Sequence, residues 1–222
     1  MSSSEQPSTA QSTVSFSKWL RYPASLISYV FHPLFVPIFV VYFLIYIHPT
    51  TFTGFSAGQK LQTLIIVIIN LSVYPLLTVL LLKAVKFIDS LFLKTQKDRI
   101  IPYIACGIFF FWAYTVFKEQ DRYPNALISY VLGLFIASSA ALLANIYCKV
   151  SMHAIGVGGW LGFFWVLMIN NSMLMSWPLS LVILITGMVC TARMILKVHP
   201  PFEIYLGLVI GLATQIAASY FV

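Results

Sequence analysis

The sequence predicts an all-α fold: a polytopic helical membrane protein with about six to seven transmembrane helices. Three observations carry that prediction. Of the 222 residues, 60% are hydrophobic and only 9% charged, with a mean hydropathy of +0.91. A soluble domain carries about 25% charged residues, because its surface must face water. Apolar stretches of about 18 to 25 residues recur along the chain, the length that crosses a hydrocarbon core of roughly 30 Å as a helix. The residue-by-residue alternation of a membrane barrel is absent, which leaves helices as the way to satisfy backbone polar groups in lipid.

The elements follow in order. Residues Met1 to Ser17 are rich in Ser, Thr and Gln and read as a disordered tail. No basic segment there leads into an apolar one, so the tail does not read as a signal peptide. Residues 18–222 read as a single transmembrane domain without internal repeat or linker, opened by Lys18 and Arg21. Seven candidate spans follow. The first, about Leu26 to Ile47, carries Pro33 and Pro37 and is expected to begin as a broken or interfacial helix. The second runs about Leu61 to Val85 with a kink expected at Pro75. The third runs about Ile101 to Phe117, with Pro102 in its first turn, where proline is tolerated. The remaining four cover Ala126 to Tyr147, Ile155 to Asn170, Pro178 to Leu196 and Ile204 to Val222.

Charge is unevenly shared among the loops. Those around Gly54, Asp121 and Ser172 hold few charges. The loops after the second, fourth and sixth spans hold Lys83, Lys86, Lys94, Lys97, Asp98, Arg99, Lys149, His153, Arg193, Lys197, His199 and Glu203. Two spans separate each of these loops from the next, so parity assigns all three to one membrane face. The formal charge of +7 therefore points to lipid head groups and anionic substrates rather than to nucleic acid. Cys106, Cys148 and Cys190 lie in or beside apolar segments and read as small buried hydrophobes. Their number and spacing suggest neither a disulfide framework nor a metal site.

The polar loops contain the parts that phosphoryl transfer to a side chain needs. Fixed cations hold the phosphate oxygens as charge spreads over them. A neutral imidazole attacks phosphorus when its other nitrogen donates to a carboxylate. A second histidine protonates the leaving oxygen. His199 and Glu203 stand four apart, which puts them on one face of a helix starting near Pro201. Arg193 lies upstream as a fork for phosphate oxygens.

These loops resemble the three motifs of the type 2 phosphatidic acid phosphatase (PAP2) superfamily, over roughly Lys94 to Glu203. The third motif of that family is Arg, five residues, His, three residues and an acid. Arg193, His199 and Glu203 keep the spacing, with Glu for the usual Asp and Ala192 for the Ser before the Arg. The second motif is Pro-Ser-Gly-His; Val150, Ser151, Met152 and His153 occupy it. The first is Lys, six residues, Arg-Pro. Lys94 and Pro102 keep the distance, with Ile101 in the Arg position and Arg99 the nearest arginine. The resemblance implies a PAP2-like helical bundle and a lipid phosphatase that needs neither metal nor cofactor and works through a phosphohistidine. It implies His199 as nucleophile, His153 as general acid, Glu203 orienting His199, and Lys94, Arg99, Ser151 and Arg193 binding phosphate. Lys149 supplies extra charge there. The expected substrates are phosphatidate, phosphatidylglycerol phosphate or an isoprenoid phosphate or pyrophosphate. A non-catalytic carrier or binder of such lipids, with a degenerate site, is the alternative. Oligomeric state is left open, a homo-oligomer included.

Other polar residues read more simply. Lys18, Arg21, Lys83 and Lys86 are topology anchors, and Lys97 and Lys197 contact head groups. His32 and His48 are interfacial structural histidines, and Asn70, Asn145 and Asn170 bridge helices. Setting the candidate site aside, the motif face carries Lys18, Arg21, Lys83, Lys86, Lys97 and Lys197, against Lys60, Lys118 and Arg122 opposite. Six against three favours a cytoplasmic site.

Overall fold

The first expected span is broken, as its prolines predicted, and neither half is among the helices long enough to cross a membrane. The structure, a computed structural model, describes residues 16–170 and 176–222. The expected disordered tail, apart from Phe16 and Ser17, and the loop around Ser172 lie outside the described residues. The break leaves two short helices. Helix α1, Lys18–Val30, is amphipathic: Ala24 and Ser28 are buried, whereas Trp19, Tyr22 and Tyr29 are exposed. The chain then breaks around Pro33, where the His32 carbonyl accepts from the amides of Phe35 and Val36. It resumes as α2, Val36–Tyr42, and runs on through a π-turn at Phe43–Ile47. Together Val36–Ile47 rises about 18 Å, short of a full hydrocarbon thickness.

Among the described residues six helices are long and apolar enough to cross a membrane, and no strand occurs. The chain is thus an all-α polytopic membrane protein. The first span, Ala57–Ala84, opens on a capping box between Ser56 and Gln59. It comprises α3, Ala57–Ile68, a π-turn over Ile69–Val73, and α4, Tyr74–Ala84. The wide turn ends directly before Pro75, whose ring cannot donate and would crowd a regular turn, so the expected kink takes this form.

Helix α5, Gln96–Lys118, starts five residues earlier than expected. Thr95 accepts from the Asp98 amide and Asp98 Oδ2 accepts from the Thr95 amide, both at 3.1 Å. This capping box starts the helix, so Pro102 lies inside it rather than in its first turn. Helices α6, Asn125–Ala144, α7, Met152–Asn170, α8, Ser176–Ile195, and α9, Pro201–Ala218, complete the bundle.

Helix α7 is the hub, packing on α8, α9, α6 and α2, and α1 lies against α8. Its seam with α9 is the closest in the molecule and is made of glycine. A Cβ on Gly162 would sit 2.6 Å from the Leu212 carbonyl oxygen, and one on Gly207 2.8 Å from the Ser151 carbonyl oxygen. Gly158–Gly162 and Gly207–Gly211 each form a Gly-x-x-x-Gly pair, the spacing that lets two helices in lipid approach backbone to backbone. That seam fixes the start of α7 beside the start of α9.

Candidate functional site

The end of α8 and the start of α9 shape the third polar loop. Arg193 closes α8 and is buried. Lys197 takes a left-handed conformation, φ 52°, which turns the chain back. Pro201 then opens α9, with Glu203 in its first turn, where the helix dipole favours a carboxylate. His199 stands just ahead of α9 and its Nδ1 lies 2.5 Å from Glu203 Oε2. A carboxylate only accepts, so Nδ1 carries the proton and Nε2 keeps its lone pair. The expected pairing of His199 with Glu203 is therefore present.

Glu203 also joins this loop to the second. Its Oε1 accepts from the Lys149 amide at 3.2 Å, and its carbonyl accepts from the Ser151 amide at 3.1 Å. Ser151 is fully buried, and its Oγ accepts from the Ala154 amide at 3.4 Å, so it caps α7 and has its own proton to donate. His153, in the first turn of α7, directs Nε2 at the Ser28 carbonyl of α1, 3.0 Å away. A carbonyl only accepts, so Nε2 is the protonated nitrogen and Nδ1 the free one.

The first loop is tied to the second through backbone. Arg99 is buried; its Nε donates to the Leu93 carbonyl at 3.0 Å and its Nη1 to the Val150 carbonyl at 2.6 Å. Leu93 holds a left-handed φ of 47° to present that carbonyl. Arg99 is thus first a clamp between loops. Gln96 and Asn145 exchange hydrogen bonds with each other's carbonyls at 2.8 Å, which bears out the bridging role expected of Asn145. Lys94 is exposed, and its carbonyl accepts from Lys149 Nζ at 3.2 Å. The Lys149 ammonium is thus engaged by the backbone of the first loop.

Electrostatics ties the centre together. Arg99 and Arg193 are close enough to repel one another and to act on His199, and Arg193, His32 and His199 all bear on His153. Burial lowers the His199 pKa; the hydrogen bond to Glu203 pulls it back up, and both arginines push it down again. His199 is therefore neutral at pH 7. Among the described residues His199–Glu203 is the only ion pair, so neither guanidinium faces a carboxylate within 4.0 Å. Arg193 Nε is buried without a hydrogen-bond partner among them. A depression of about 320 Å³, lined by Met194, Lys197, His199, Pro200 and Pro201, opens beside the histidine. Among the described residues no group of three or more His, Cys, Asp or Glu side chains is placed to hold a metal ion.

Sequence reasoning missed three contributors. The Thr95-x-x-Asp98 box and the paired glycine spacings were visible signals. The placement of His32 against His153, with ring centroids 5.1 Å apart, had none. No protein-family model, curated protein or solved structure matches the chain.

Proposed function

We propose that this protein is a metal-independent phosphatase acting on a membrane lipid phosphate. The observation that supports the reading most is a neutral, carboxylate-oriented imidazole beside two guanidiniums that no described carboxylate pairs with inside 4.0 Å. Buried cations without a counterion are costly, and a phosphate dianion supplies the missing charge. In this reading His199 Nε2 attacks phosphorus and the bond from phosphorus to the lipid oxygen breaks. The lipid phosphate enters as a monoanion and passes its proton to the lone pair of His153 Nδ1, Nε2–H being held on Ser28; the imidazolium so formed gives that proton to the leaving oxygen. Water then attacks the phosphohistidine and yields its proton to His153, releasing phosphate and restoring His199. Arg193, Arg99 and Ser151 hold the oxygens, and the resemblance to the PAP2 superfamily supports the same roles. The excess of basic residues on the motif face argues for a cytoplasmic site.

The test is phosphate release from phosphatidate, phosphatidylglycerol phosphate and isoprenoid phosphates by the purified protein in divalent-free buffer. Equal release by wild type and His199→Ala from every substrate ends the reading. One observation favours a second reading, a lipid-phosphate carrier: Arg99 and His153 already hold backbone carbonyls. Vanadate, a mimic of five-coordinate phosphorus, separates them, because only the phosphatase requires tight, His199-dependent binding.

A further inference from the structure

The turn that breaks the first expected span places a histidine at the site that no motif predicts. His32 lies in the break between α1 and α2, outside the six spanning helices. The turn is held on several sides. Ser72 Oγ donates to the Leu34 carbonyl at 2.6 Å. Pro33 packs on Gly156 of α7, where an added Cβ would reach ordinary contact at 3.5 Å. The His32 carbonyl caps the first amides of the turn. The ring stands edge-on to His153, its plane at 86° to it.

Its hydrogen bonding assigns its nitrogens. The Leu34 amide donates to Nδ1 at 3.3 Å, so Nδ1 is the acceptor and the ring proton sits on Nε2. Nε2 makes no hydrogen bond to any described residue. A half-buried N–H is thus left without an acceptor beside His153, within the field of the Arg193 guanidinium.

We propose that His32 is a further phosphate-binding residue, whose Nε2–H donates to an oxygen of the bound phosphoryl group. This rests on the lipid phosphatase reading, which assigns it no role. Burial, with Arg193 adding to it, pushes the His32 pKa down to about 4. At neutral pH it is an uncharged donor that adds direction to the positive charge of Arg193, and it is not a proton source. The strain-free fixing of Nδ1 by Leu34 serves that role, since it holds the donor in a single orientation.

Two amides separate this role from a packing one. Glutamine places an N–H near the position of Nε2, whereas asparagine places a polar atom near Nδ1 and leaves the Nε2 position empty. Vanadate affinity is measured on the full-length protein in detergent, together with KM and kcat for phosphatidate. His32→Gln is expected to stay within about threefold of wild type, and His32→Asn to lose about tenfold in vanadate affinity. The pH profile of His32→Gln is expected to keep the wild-type limbs. Equal affinities for the two amides, better binding by His32→Asn, or a lost acid limb in His32→Gln overturns the proposal while leaving the phosphatase intact. Absence of His199-dependent vanadate binding in wild type removes both readings together. Histidine-labelled ¹⁵N spectra of the unmutated protein give an independent check: vanadate should shift the His32 Nε2 signal more than that of Nδ1, and an unmoved Nε2 signal refutes the assignment.

Discussion

Replacing Glu203 by Gln tests the central pair with little disturbance to the fold. The amide keeps an oxygen for the Lys149 N–H, and the backbone bond to Ser151 is untouched. What is lost is the charge facing His199 Nδ1 at 2.5 Å, and the amide NH2 that takes its place donates, which turns the ring to the tautomer with its proton on Nε2 and removes the attacking lone pair. The His199 side chain is 2% exposed and that of Glu203 13%, so water screens the pair weakly. A hydrogen bond to a charged group is worth about 1.5–3 kcal/mol, which corresponds to roughly 10- to 100-fold in rate. The pH dependence carries a second sign. In the proposed mechanism His199 attacks as the neutral imidazole, so activity rises with pH through its pKa, which lies below 6.5. The carboxylate raises that pKa by hydrogen bond and by charge, so removing it lowers the pKa further. Phosphate release from phosphatidate between pH 5 and 9 should therefore show a plateau lowered by at least about 10- to 100-fold, with its acid limb moved to lower pH. A plateau within twofold of wild type, or a limb moved upward, refutes the assigned role of Glu203.

Further outcomes concern the glycines, the two arginines and His32. Gly211→Leu places a side chain against the Ile155 carbonyl and the Gly159 amide, 2.6 Å from the latter; it should lower the melting temperature by the equivalent of about 1–3 kcal/mol or more. Gly187→Ala, with nothing within 4 Å, should be neutral or stabilising by up to about 1 kcal/mol. Arg193→Lys keeps a charge but loses the planar fork, so vanadate affinity should fall about tenfold at unchanged melting temperature. Arg99→Lys removes the clamp on Leu93 and Val150, so the melting temperature itself should fall. His32 gives the fold an acid sensitivity of its own. A pKa lowered from 6.5 to about 4 corresponds to about 3 kcal/mol. That stability is complete above pH 6.5 and is lost as pH falls toward 4. Melting curves of wild type from pH 7 to 4 should fall more steeply than those of His32→Gln.

The paired loops and the glycine seam show how the site depends on the bundle. Glu203 holds Lys149 and Ser151, and Arg99 holds Val150, so each joint between loops uses a backbone amide or carbonyl. Backbone partners of this kind leave no mark on residue identity. Arg99 accordingly reads from sequence as a phosphate binder two places out of register, whereas in space it is first a clamp between loops.

Hydropathy and length alone determined that this chain spans a membrane as helices, because lipid leaves an apolar 20-residue segment no other way to satisfy its backbone. The spacing of His199 and Glu203 pointed to their meeting, although His199 stands just outside α9 and reaches Glu203 in its first turn from ahead of the helix. Loop parity put the polar segments on one face. Only the tertiary structure decided where the first span breaks, that Thr95 starts α5 ahead of Pro102, and that His32 reaches His153 from 121 residues away in the chain. Those outcomes depend on which backbone groups find partners across the bundle and how closely glycine lets helices approach, and neither is a property of any local stretch of sequence.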